Sequence, residues 1–259
     1  MAEDPEALPE GTLISHLLEL RERLLRAFIA VLIAFIPCAF YSNRLFEFLA
    51  QPLISRLPPG ASLIATSVTA PFTAPFKLSF IVGLLIAMPY VLYQVWAFVR
   101  PGLYRHEIRF ALPLLITSIL LFYCGVGFSY WVVFPLIFKF FIATAPHGVA
   151  LMADISNYLS FALTLFVAFG VAFETPVAVV LLVLTGLVSV KKLQSVRGYV
   201  LIGVFIIAAI LTPPDALSQT TMAVPMYLLY EGGIILARIL HKPKPEDSPA
   251  AEDDAGAKA

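Results

Sequence analysis

Long apolar runs separated by short polar punctuation dominate this chain, and their lengths carry the first inference. Crossing about 30 Å of hydrocarbon takes about 20 mostly apolar residues in a helix. Four segments meet that requirement, running approximately Leu24–Tyr41, Leu78–Val99, Phe110–Phe134 and Leu159–Val188. Two further runs, Tyr199–Leu211 and Met222–Ala237, are shorter. At about 1.5 Å per residue the first of these reaches only about 20 Å, so it thins the bilayer locally or stops short of one face. The chain turns back at Thr212-Pro213-Pro214-Asp215. The number of crossings is then even and both termini share one side. The pattern predicts an all-α polytopic membrane protein of six transmembrane helices, with an amphipathic segment at 1–23, a membrane domain at 24–237 and a tail at 238–259.

Composition agrees with that reading. Of 259 residues 60% are hydrophobic and 13% charged, against roughly 25% charged in a soluble domain. Basic and acidic residues cancel, which removes a whole-molecule argument for binding nucleic acid. Their distribution is uneven. All the Lys and Arg residues except Arg44, Arg56, Lys77 and Lys139 fall on the side that holds the termini, so the positive-inside rule makes both termini cytoplasmic. The first apolar run is too long, and the following Ser42-Asn43-Arg44 too polar, for a cleaved signal peptide. The outer segments 43–76 and 135–158 are long and rich in proline or phenylalanine. They predict short helices in the outer interface rather than structureless loops, with Asp154 or Ser156 capping the fourth helix. The tail after Lys242, with three prolines and five acids, has a disordered composition.

Ionisable residues inside a span are functional candidates, because hydrocarbon makes them costly. Glu174 stands midway along the fourth helix in Phe173-Glu174-Thr175-Pro176, where the proline frees a carbonyl and lets the helix bend. It either works chemically or ties neighbouring helices together. Glu231 sits nearer the cytoplasm and reads as structural, and Asp215 belongs to the turn between the two short helices. On the cytoplasmic side, Leu13, Leu17, Leu20 and Leu24 share a helical face. Ser15 is a possible cap that would put Glu19 near the helix's positive end, while Glu19 with Arg23 and Glu22 with Arg26 form i,i+4 pairs that need no outside partner. Arg100-Pro101-Gly102-Leu103-Tyr104-Arg105-His106-Glu107 makes a tight turn whose Glu107 opens the third span. No hydrolase, metalloprotease or nucleotide-binding signature is present. The four histidines are scattered, and Cys38 and Cys124 read as packing residues. No catalytic residue, metal site or cofactor is expected.

The segments HLLELRERLL at 16–25, TAPFTAPFKLSF at 69–80, LYQVWAFVRPGLYRHE at 92–107, AFGVAFETPVAVVLL at 168–182 and LTPPDALSQT at 211–220 together resemble the TatC family. That family forms the core of the bacterial twin-arginine protein translocase, and the resemblance runs from about Leu13 to Arg238. It implies a concave, glove-like bundle in the bacterial inner membrane whose fifth and sixth helices are short. It implies a receptor, not an enzyme: one that binds Arg-Arg signal peptides at the cytoplasmic face and assembles with the single-span subunits TatA and TatB. Export of folded proteins would then draw on the proton-motive force. The resemblance puts signal-peptide recognition on Glu19 and Glu107, with Phe98 and Arg21 in the matching motifs. It makes Glu174 the buried acid, and places Thr212 and Gln219 where a partner helix docks. Arg100 is a departure that adds positive charge near Glu107, where it competes with an incoming arginine unless it faces lipid phosphate. The competing reading is a proton-coupled secondary transporter relaying through Glu174, a class commonly built from internal repeats; no repeat is visible here.

Overall fold

The computed structural model describes residues 10–54, 63–99, 111–144, 153–212 and 215–240. These residues are almost entirely helical: α1 (Glu10–Phe40), α2 (Ser42–Ile54), α3 (Ala70–Val99), α4 (Ala111–Phe128), α5 (Phe134–Thr144), α6 (Ile155–Ala172), α7 (Thr175–Leu184), α8 (Val190–Ser195), α9 (Arg197–Leu211) and α10 (Ala216–Leu240). Two-residue strands β1 (Leu63–Ile64) and β2 (Ala153–Asp154) form a short parallel bridge. Five stretches are long and apolar enough to cross a bilayer: Ser15–Phe40, Ala70–Val99, Ala111–Phe140, Ile155–Leu184 and Ala216–Leu240. Arg197–Leu211 is a shorter apolar helix, about 22 Å long at the standard rise. The six apolar helices follow the order read from the sequence.

Several boundaries differ from the sequence reading, each for a physical reason. Helix α1 starts at Glu10 and runs unbroken into the first span, so Ser15 lies inside it and is not its cap. The fourth span is interrupted by one tightened turn: Phe173 and Glu174, both still in right-handed helical conformation, join α6 to α7, since Pro176 lacks the N–H that would continue the ladder. The segment at 43–76 does contain a short helix, α2. The run Phe138–Ile142, by contrast, belongs to α5, which continues the third span through a π-helical turn at Ser129–Val133. One inserted residue there rotates the helix face, leaving Trp131 exposed and Val133 buried.

Within the membrane every backbone group needs a partner supplied by the protein. Pro89, inside α3, leaves the Leu85 carbonyl without its usual helical donor. The Tyr123 hydroxyl on α4 donates to that carbonyl at 2.8 Å. At the far end of the bundle, Asp154 caps α6 by accepting from the Asn157 N–H at 2.8 Å. It also accepts from the Thr66 hydroxyl at 2.6 Å and the Thr66 N–H at 3.0 Å, which ties the two outer segments together beside the β1–β2 bridge. The Thr66 hydroxyl, then the two N–H groups, hold the Asp154 carboxyl down at about 2.

Helix α1 packs along α3, α4 along α6, and α7 against α10. The close seams need glycine. A Cβ at Gly125 would lie 2.4 Å from the Phe169 carbonyl oxygen, and one at Gly83 would lie 2.8 Å from the Phe35 Cα. Buried side chains form two clusters. One gathers Leu78, Val133, Ile137, Leu165, Phe169 and Met222; the other holds Trp96, Leu114, Val180, Leu193, Tyr230 and Ile234. On the fourth span the boundary between them coincides with the break at Phe173–Glu174. The outer surface is apolar, with Phe40 84% and Ile210 78% exposed, as suits helices facing lipid.

Two predictions follow from these contacts. Tyr123→Phe should cost about 1 kcal/mol of stability in detergent unfolding, and the cost should shrink when Pro89→Ala restores the helical donor; equal costs in both backgrounds would show that the hydroxyl does not serve the Leu85 carbonyl. The Asp154 carboxyl is lowered from 3.8 to about 2 in the folded protein, so its contribution is present above the unfolded value and disappears as pH falls through the folded one. Wild type should therefore melt higher than Asp154→Asn at neutral pH, with the gap closing between pH 3.8 and about 2.

Candidate functional site

The acid singled out near the amino terminus, Glu19, stands on the exposed lead-in of α1 and is half-buried. Arg23, one turn on, donates to its Oε1 through Nε at 2.9 Å and Nη2 at 2.6 Å. Glu22 pairs with Arg26 in the same i,i+4 fashion, and Arg21 is exposed. Both pairs expected from spacing are therefore present. Spacing did not reveal what fixes this segment against the bundle. The His16 ring stacks on Phe98 near the end of α3, with centroids 4.3 Å apart and planes inclined by 24°. Glu19 is three residues beyond His16, so the stack brings two of the predicted site residues, Glu19 and Phe98, to one end of the molecule.

That end is also the basic one. Trp96, two residues before Phe98, shares its cluster with Leu193 and Tyr230, and the Tyr230 hydroxyl donates to the Leu193 carbonyl at 2.7 Å. The segment bearing Lys191, Lys192 and Arg197 therefore lies at the same end as Arg21, Arg23 and Arg26. Glu231 is spoken for there, accepting from Arg197 at 2.6 Å and from the Tyr227 hydroxyl at 3.0 Å, which agrees with a structural role. Glu107 and Arg100 lie outside the described residues.

Glu174 sits at the break between α6 and α7, where the Ser118 hydroxyl of α4 donates to its Oε2 at 2.5 Å. Ser118 is fully buried. The other carboxyl oxygen, Oε1, is buried and has no hydrogen-bond partner among the described residues. The carboxyl thus ties two spans together while retaining one uncommitted acceptor, so both roles read from the sequence keep a physical basis.

Near the opposite end, Thr212 is buried and its hydroxyl donates back to the Ala208 carbonyl at 2.8 Å. Asp215 begins α10, accepting from the Ser218 N–H at 2.7 Å. Gln219 donates through Nε2 to the Phe205 carbonyl at 3.0 Å and lines an apolar groove of about 330 Å³ with Ile202, Phe205 and Ile206 of α9. Of the two residues expected to meet a partner, Gln219 borders open surface and Thr212 faces inward. Among the described residues no group of His, Cys, Asp and Glu could hold a metal ion. His16 is the residue beside the candidate site whose contact sequence reasoning missed; its one signal was a place on the turn before Glu19.

Comparison with known proteins gives this geometry a context. The family model described as Sec-independent protein translocase protein (TatC) matches residues 15–225. The Sec-independent protein translocase protein TatC of Haemophilus influenzae is 50% identical over 242 residues, covering 93% of this chain and 94% of the relative. That of Escherichia coli strain K12 is 51% identical over 226 residues, covering 87% and 88%. A crystal structure of the twin arginine translocase receptor TatC superimposes with a TM-score of 0.78 at 40% identity, over 86% of this chain and 98% of that one. The match spans the amphipathic lead-in, the interrupted fourth span and the short α9 alike, and the chain belongs to the TatC family of Sec-independent protein translocases, multi-pass proteins of bacterial membranes.

Proposed function

We propose that this chain is the signal-peptide receptor of its translocase, binding consecutive arginines with Glu19 and Glu107 at the cytoplasmic face. The observation that carries the reading is the His16–Phe98 stack, which holds Glu19 at the basic end of the bundle. By the positive-inside rule that end, and with it both termini, is cytoplasmic. A carboxylate suits the task because a guanidinium donates two parallel hydrogen bonds to it, whereas an ammonium fits such a site less well. Arg23 already occupies Oε1 of Glu19. A surface i,i+4 pair on a helix is worth about 0.3–0.5 kcal/mol, and this half-buried one is held by two N–H donors, so a signal arginine joins it, or displaces it by offering the same pair of donors. Phe98 and the apolar face of the lead-in helix are the nearest surface for the signal's hydrophobic part, and Arg21 stays free to meet lipid phosphate or acidic groups.

Assembly with TatA and TatB belongs to the groove between α9 and α10, where Gln219 gives an otherwise apolar edge one polar contact. Thr212 supports that edge from inside by closing the end of α9. The chain carries no nucleotide motif, so the proton-motive force is the energy source proposed for transport, in the bacterial inner membrane. The alternative of a proton-coupled solute transporter working through Glu174 has less support: Ser118 already engages that carboxyl, and the matching family model describes a protein translocase.

With a photo-crosslinker at Leu20, an Arg-Arg signal peptide should label the protein strongly and a Lys-Lys version weakly. Glu19→Gln should cut Arg-Arg labelling about tenfold, as expected for loss of a charged hydrogen bond, while Arg23→Gln should preserve or raise it. Equal labelling of wild type, Glu19→Gln and a Glu19→Gln, Glu107→Gln double variant would reject the assignment.

A further inference from the structure

A second groove, of about 480 Å³, opens between α3 and α6 at the end of the molecule opposite Glu19. Its mouth is polar and its floor apolar. The Lys77 ammonium donates to the Ser160 hydroxyl at 2.9 Å, and the groove continues past Ile81, Thr164 and Val167 to Leu211. Lys77 with Ile81, and Ser160 with Thr164, are i,i+4 pairs on their helices, so the groove descends along both axes from the charged mouth into the bundle's apolar belt.

Two independent features say what fills it. The first is charge. Lys77 is exposed, and among the described residues no carboxylate pairs with it. Asp154, the acid nearest to Ser160 in sequence, is fully engaged by Thr66 and Asn157. An ammonium has three donors, and the Ser160 hydroxyl takes one of them. The second is depth. Helix α3 has 30 residues, about 45 Å at the standard rise, against about 30 Å of hydrocarbon. Lys77 is seven residues from its start, about 10 Å along the axis, which is the level where headgroup gives way to acyl chain. Leu211 ends the short helix α9, so the groove opens where α9 falls short of the bilayer's thickness.

We propose that this groove binds one anionic phospholipid of the outer leaflet, with its phosphate on the Lys77 ammonium and one acyl chain lying in the groove over the end of α9. The charge of Lys77 selects against zwitterionic lipids, whose phosphate is already neutralised by its own ammonium. The bound lipid fills the space that the short helix leaves in that leaflet and keeps the α3–α6 face covered.

Native mass spectrometry of the purified protein, titrated with phosphatidylglycerol or phosphatidylcholine, tests this. One phosphatidylglycerol should be retained in preference to phosphatidylcholine. Its dissociation constant should rise about fivefold in Lys77→Gln, on the order expected for one basic residue at a membrane surface. Val167→Phe, which fills the groove floor and leaves Lys77 in place, should also release the lipid, while Lys139→Gln should retain it. Unchanged retention in both Lys77→Gln and Val167→Phe, equal binding of the two lipids, or equal loss in Lys139→Gln would overturn the proposal.

Discussion

In hydrocarbon a backbone N–H or carbonyl without a partner costs several kcal/mol, and the irregularities of this fold are organised around that cost. Three departures from plain helix are accompanied by compensating contacts. Pro89 interrupts α3, and Tyr123 reaches from α4 to the carbonyl left over. The π-helical turn is closed by the Phe134 N–H bonding back to the Ser129 carbonyl. At the Phe173–Glu174 break the Glu174 N–H still finds the Val171 carbonyl at 3.0 Å and the Ala178 N–H finds the Glu174 carbonyl at 2.9 Å. With these two bonds kept, the Glu174 side chain does not cap the turn and bonds across to Ser118 instead.

Hydropathy reads the part of a helix that lies in hydrocarbon, and here it located all six apolar helices while understating their ends. Helix α1 begins fourteen residues before the apolar run at Leu24, at Glu10, because a polar, amphipathic stretch remains helical in the interface while the ladder continues. The fourth span shows the opposite limit. Pro176 announced a disturbance, but whether a proline bends or breaks a helix depends on what packs beside it. The α10 backbone comes close at that point, where a Cβ on Gly233 would lie 2.9 Å from the Pro176 Cα. Local pairs such as Glu19 with Arg23 were legible because helical geometry alone creates them. The His16–Phe98 stack and the Lys77–Ser160 contact join residues 82 and 83 positions apart, and nothing local in the sequence encodes such meetings.

The two ends of the bundle divide their labour by charge. At the basic end Glu19 and Glu22 are each held by an arginine one turn away on the same helix. At the other end Asp154 and Asp215 are fixed by hydroxyl and backbone donors: Asp154 by Thr66 and Asn157, Asp215 by the first turn of α10. A fixed carboxylate suits the geometry of loops and helix starts. The same residue type thus forms a side-chain ion pair or a structural cap according to whether its partner is a guanidinium or the chain's own backbone.

The glycine seams also limit what can pass between the helices. With α4 pressed on the α6 backbone at Gly125, and α3 on that of α1 at Gly83, these neighbouring helices meet without space for water between them. At those two points the seams leave no room for a strand to pass between the paired helices. At Gly83 and Gly125 even one added methyl group would meet the neighbouring backbone, so the tightness of these two seams is set at the level of a single carbon atom.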